Sequence, residues 1–112
     1  VQQPLPIWVS GRQDAAMRRA ARHGDGWMPY MYTPEMLAES LAKIRDWCME
    51  TGRPADAVRP ALFAFTACHE DSARGWAMAT DKLGAQYAQD FTKIARRYVI
   101  AGTPDECRAR LQ

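Results

Sequence analysis

Pro6-Ile7-Trp8-Val9-Ser10-Gly11, followed after an Ala- and Arg-rich segment by Gly24-Asp25-Gly26-Trp27-Met28-Pro29, decides how this chain folds. Residues 6–9 are short, apolar and rich in β-branched and aromatic types, and they stop at Ser10-Gly11, the pattern of a strand running into a turn. In residues 12–23, Ala16, Ala20 and His23 recur on one face at helical spacing, while Arg18, Arg19 and Arg22 point elsewhere. Gly24 is expected to stop that helix by entering the left-handed conformation. Gly26 to Tyr30 then reads as a second strand, its ladder ended by Pro29. Strand, helix and strand make one βαβ unit with small residues at its turns.

Beyond the second strand, Thr33-Pro34-Glu35 is a helix start: a side-chain cap, a proline at the first turn and an acid at the positive end of the dipole. Leu37, Leu41, Ile44 and Cys48 form its apolar stripe, and Gly52 and Pro54 end it. Residues 60–68 read as a third strand, apolar on both faces as in a parallel sheet. Asp71-Ser72 caps a further helix whose inner face is expected to carry Trp76, Thr80, Leu83 and Tyr87. Residues 91–98 read as a short helix and residues 98–101 as a turn or extended piece. Thr103 and Glu106 have the spacing of a capping box that opens a last helix. The alternation predicts an α/β chain of about three parallel strands.

The 112 residues suit one domain, residues 1–112, with a modest core. Fifteen Lys and Arg against thirteen Asp and Glu leave a net charge of +2, which favours neither nucleic acid nor a membrane surface. Arg18, Arg19 and Arg22, like Arg96 and Arg97, read as solvated helix faces rather than a nucleic-acid stripe. No apolar run approaches the roughly 20 residues of a membrane span. The first residues lack the pattern of a signal peptide, so a cytoplasmic location is the expectation. Cys48, Cys68 and Cys107 are odd in number and far apart in sequence, which argues for reduced thiols and against a disulfide framework or a metal site.

Taken together, Pro6 to Gly11, Asp14-Ala15-Ala16, Arg18-Arg19-Ala20-Ala21, Gly24 to Trp27 and Gly102-Thr103-Pro104-Asp105 resemble the bacterial luciferase-like oxidoreductases. The resemblance runs over nearly the whole chain, in order and with similar spacing. It implies a (β/α)8 barrel and a cofactor that is FMN or the deazaflavin coenzyme F-420. A complete barrel of this kind takes about 250 residues, so the chain is expected to be a partial barrel lacking the first and last strands. Activity of the chain by itself is then expected to be weak or absent.

The resemblance nominates Ser10, Gly11 and Gly26, with Asp25 and Trp27 beside them, for the cofactor phosphate. The residues support part of this independently. Glycine lets the backbone approach an anion, and a helix opening after Gly11 directs its free N–H groups there. Ser10 adds a hydroxyl and Arg12 a charge. The same glycines also serve tight turns with no ligand at all. Trp27, Met28 and Tyr30 are candidates for a ring-binding wall, and core packing or an aromatic patch left exposed by missing strands is the favoured explanation for them. His23 and His69, the only histidines, stand in no readable nucleophile–base pattern, and no catalytic residue is assigned. Open sheet edges in a partial barrel predict self-association, most simply as a homodimer. The contrasting function class is a non-enzymatic assembly or small-anion-binding module built from the same fragment.

Overall fold

The computed structural model describes residues 3–112, which form two compact units meeting in sequence at Phe63 and Ala64. Elements alternate along the chain: β1 (Trp8–Val9), α1 (Asp14–His23), β2 (Gly26–Trp27), α2 (Pro34–Glu50) and β3 (Arg59–Pro60) in the first unit. The second holds β4 (Thr66–Cys68), α3 (Ser72–Tyr87), α4 (Thr92–Tyr98), β5 (Ile100–Gly102) and α5 (Pro104–Leu111).

In the first unit the strands pair in parallel in the order β1-β2-β3, with Trp8 opposite Gly26 and Val9 opposite Trp27. Strand alternation turns Val9 inward onto α1 and leaves Trp8 45% exposed on the other face. Met17, Ala20 and Ala21 of α1 meet Ile44, Trp47 and Cys48 of α2 around the fully buried Trp27. The α2 stripe is thus as expected, with Leu37 and Leu41 partly buried against it. Thr33 caps that helix by accepting from the Met36 N–H.

Two expectations for α1 need correction. His23 is exposed, and Met17 takes the buried place beside Ala20. Gly24 ends the helix in extended backbone, φ −89°, not in the left-handed region. A side chain there is opposed by packing instead: a Cβ would stand 3.0 Å from the Ala20 carbonyl oxygen and 3.2 Å from Val9 Cγ2.

The apolar run 60–68 is not one strand. Ala61 and Phe63 donate to the carbonyls of Trp27 and Pro29, whereas the Phe65 carbonyl and residues 66–68 pair with β5. Five short strands therefore stand where about three were expected. The hand-off between partners is invisible in a run that is apolar at nearly every position.

In the second unit β4 and β5 run parallel, Thr66, Ala67 and Cys68 opposite Ile100, Ala101 and Gly102. Residues 100–102 are thus a buried strand and not a turn. Helix α3 faces this sheet with Gly75, Ala79 and Leu83, not with Trp76, Thr80 and Tyr87. Its small residues are the reason: a Cβ on Gly75 would lie 3.0 Å from both the N and the O of Gly102, so only glycine lets helix and strand approach this closely. Trp76 is turned outward under the Arg96 guanidinium, 4.4 Å from its ring centre. The capping box forms as read, Thr103 N–H donating to Glu106 Oε2 at 2.6 Å and Glu106 N–H to Thr103 Oγ1 at 3.3 Å. Among the described residues, no helix is long and apolar enough to cross a membrane.

Candidate functional site

The turn Ser10–Gly11–Arg12 lies at the C-terminal end of β1, the end at which parallel α/β folds place ligands. Three side chains hold it. Ser10 Oγ donates to the Met28 carbonyl at 2.9 Å, Trp27 Nε1–H to the Gly11 carbonyl at 3.0 Å, and the Tyr32 hydroxyl to the Arg12 carbonyl at 3.4 Å. Tyr32 is itself buried, edge-on to Trp27 with ring centres 5.7 Å apart, and its oxygen accepts from Ser40 Oγ at 3.4 Å. Gly11 sits at φ +117° with Ala16 pressed against it, so that a Cβ would come 2.8 Å from Ala16 Cβ. No other residue type enters this turn without strain.

These bonds orient the peptide planes. Carbonyl and following N–H point in opposite directions across a trans peptide. With the carbonyls of Gly11 and Arg12 turned in toward Trp27 and Tyr32, the N–H groups of Arg12 and Gln13 turn away from the core. They do so just ahead of the first turn of α1, whose N-terminal residue Gln13 makes no side-chain cap. The exposed Arg12 guanidinium lies over the Tyr30 ring, 5.4 Å from its centre, at the same end of the sheet. Outward amides, a helix N-terminus and a cation are the chemistry of an anion cradle.

The five nominated residues do not converge on it. Ser10 and Gly11 form the turn. Trp27 lies beneath it, fully buried, with its indole N–H engaged by Gly11. Asp25 and Gly26 are at the opposite, N-terminal end of β2. There Asp25 Oδ2 accepts from the Ile7 N–H at 2.7 Å, and Gly26 lies under the Trp8 ring. Asp25 therefore fastens the start of the β1–β2 ladder. Of the aromatic wall candidates, Met28 and Tyr30 are exposed and Trp27 is core.

Reading the sequence singled out neither Tyr32 nor Arg53. Arg53 closes the other end of α1, its Nη1 donating to Ala21 O at 2.7 Å and Ala20 O at 3.3 Å, and its Nη2 to Gly24 O at 2.8 Å. The only available signal was a long donor just past the Gly52 turn. His69 Nδ1 accepts from the Asp71 N–H at 2.9 Å, a local turn bond, and His23 is exposed. Among the described residues no cluster of metal-ligating side chains occurs. A groove of about 870 Å³ lies along β4 and α3, lined by Phe65, Cys68, Met78, Lys82 and Leu83 among others, and none of the five nominated residues lines it.

The model of a family described as luciferase-like monooxygenase matches residues 1–112. Uncharacterized proteins of Mycobacterium tuberculosis and Mycobacterium bovis are each 45% identical over 51 residues, 46% of this chain and 17% of theirs. Among solved structures, a coenzyme F420 dependent tetrahydromethanopterin reductase from Methanopyrus kandleri superposes with a TM-score of 0.74 at 14% identity, over 96% of this chain and 41% of that one. A long-chain alkane monooxygenase gives 0.70 at 14% identity, over 99% and 34%. A riboflavin lyase, solved with modified FMN and riboflavin, gives 0.69 at 16% identity, over 93% and 34%. The chain thus spans about a third to two-fifths of the solved chains, and the curated match covers under a fifth of its relatives. At these identities the structures speak to fold, and they bear out the parallel α/β reading as part of a (β/α)8 barrel.

Proposed function

The chain belongs to the luciferase-like monooxygenase family, and from that membership we propose that it supplies part of the phosphate site of a flavin- or deazaflavin-dependent oxidoreductase. The observation that carries this reading is the Ser10–Gly11–Arg12 turn, its carbonyls held inward by Trp27 and Tyr32 and its next amides directed outward at the start of α1. Those amides and the Arg12 guanidinium suit the phosphate of FMN or F-420, while the Ser10 hydroxyl, donating to the Met28 carbonyl, holds the turn in place. Asp25 and Gly26 stand at the other end of the ladder, where Asp25 accepts from the Ile7 N–H. When bound, the cofactor supplies the redox chemistry, and the protein's part is orientation and electrostatics. Phosphate recognition without a ring pocket is weak recognition, so the chain alone is expected to show little or no turnover.

Riboflavin lacks the phosphate that FMN carries, and this makes the test. Fluorescence titration should give saturable FMN binding, at least tenfold weaker for riboflavin, and a similar loss for FMN in Arg12→Ala but not in Arg22→Ala. Equal binding of FMN and riboflavin, or none of either, refutes the assignment.

A second reading concerns assembly. In the first unit Ile7, Trp8, Leu62 and Phe63 remain 40–54% exposed, and β1 and β3 are edge strands. Exposed apolar side chains beside open edges favour pairing with a second copy of this chain. Light scattering at micromolar concentration should give a dimer mass that Trp8→Glu reduces to a monomer; a monomeric parent protein refutes it.

A further inference from the structure

We propose that Cys68 and Cys107 form a reversible redox pair, joined as an intramolecular disulfide when the protein meets a hydroperoxide. The topology brings together two thiols that are remote in sequence. Cys68 is the last residue of β4 and lies in register with Gly102 of β5. Cys107 of α5 turns back against the same place, its Sγ 3.8 Å from the Gly102 carbonyl oxygen and 4.0 Å from that of Ala67, the residue just before Cys68. Burial, and then Cys68 nearby, pushes the Cys107 thiol up from its ordinary value. Cys48, by contrast, is buried in the other unit with its Sγ on the Ala21 carbonyl at 3.7 Å.

Exposure divides the roles. Cys68 is exposed and Cys107 is only 7% exposed. The outer thiolate attacks the peroxide oxygen; the O–O bond breaks, Cys68 becomes a sulfenic acid, and the leaving oxygen departs as water after taking a proton. The inner sulfur then attacks the Cys68 sulfur, the S–O bond breaks, and the Cys107 proton leaves with the hydroxide as a second water. Two thiols and one hydrogen peroxide become one disulfide and two waters. A dithiol reductant reverses the change. The bond ties the C-terminal end of β4 to α5, which is otherwise held there by its capping box and packing.

Mapping of the unaltered protein decides the matter, whatever the variants do. The reduced chain is treated with hydrogen peroxide, alkylated under denaturing conditions, and digested without reductant. The expected product is a Cys68–Cys107 linked peptide from a chain lighter by two hydrogens, with Cys48 alkylated as a free thiol and full reversal by dithiothreitol. In Cys107→Ser, Cys68 should stop at a sulfenic acid that dimedone traps. Oxygen addition to Cys68 with Cys107 still alkylated in the parent protein overturns the proposal, as does a disulfide that links two chains.

Discussion

Replacing Arg53 by Met keeps the bulk of the side chain and removes every donor. Arg53 holds three carbonyls at the C-terminal end of α1, two of them at 2.7 and 2.8 Å and one at 3.3 Å. A hydrogen bond to a charged group contributes about 1.5–3 kcal/mol net when well made. Here the side chain is half-exposed, so water takes up part of what the guanidinium gives. The long bond adds little. We expect Arg53→Met to cost about 2–3 kcal/mol, from roughly two effective bonds, each discounted for solvent. Lysine keeps the charge at the negative end of the helix dipole, worth about 0.3–1 kcal/mol, and makes one bond instead of a fork, so Arg53→Lys should cost about half as much. Urea unfolding followed by the fluorescence of Trp27 and Trp47 reads this directly. With a slope of about 1–1.5 kcal/mol per molar, the midpoint of Arg53→Met should fall by about 2 M. The buried Cys48 thiol gives a second readout. Burial pushes its pKa up and Arg53 draws it part of the way back, so the Met variant should titrate higher still. A Met variant within about 0.5 kcal/mol of the parent, or one indistinguishable from the Lys variant, would refute the clamp.

Other consequences are equally direct. Trp27→Phe keeps a buried ring but leaves the Gly11 carbonyl without its indole donor; a loss of about 1–2 kcal/mol in urea melts, together with a smaller difference between FMN and riboflavin binding, is expected. Gly75→Ala inserts a methyl group 3.0 Å from backbone atoms that cannot move aside singly, and should cost about 1–3 kcal/mol in the same assay despite the better helix propensity of alanine. Thr103→Ala breaks the capping box and should cost about 1 kcal/mol. Hydrogen bonding from the Thr103 backbone N–H, and then from Ser72, holds the Glu106 carboxyl below its ordinary value. A depressed folded-state pKa means stability that is present above the unfolded glutamate range and lost as the pH falls through the folded value. Acid unfolding monitored by circular dichroism should therefore begin earlier in Glu106→Gln, which lacks the charge at every pH, and show a shallower acid dependence.

Local chemistry carried much of the structure into the sequence. Thr33-Pro34 and the Thr103–Glu106 pair specify helix starts because their bonds close within one turn, and both form as written. The stripe from Leu37 to Cys48 and the strand–turn–helix at Val9 to Asp14 were legible from periodicity and turn residues alone. The family-like order of motifs carried the parallel α/β architecture. What remained depended on which partner a residue meets. An apolar run from 60 to 68 has no mark showing where pairing passes from β2 to β5, since every residue in it suits either neighbour. Large apolar residues suggested the wrong face of α3, because the closest helix–strand contact is made where side chains are missing, at Gly75. Gly26 is only two residues and Asp25 three from Met28, whose carbonyl holds Ser10, yet a strand's direction puts them at the opposite end of the ladder. The inward carbonyls over Trp27 and Tyr32, the Arg53 clamp and the meeting of Cys68 with Cys107 are contacts between distant segments. Sequence spacing encodes bonds that close locally; the tertiary fold alone decides those that span it.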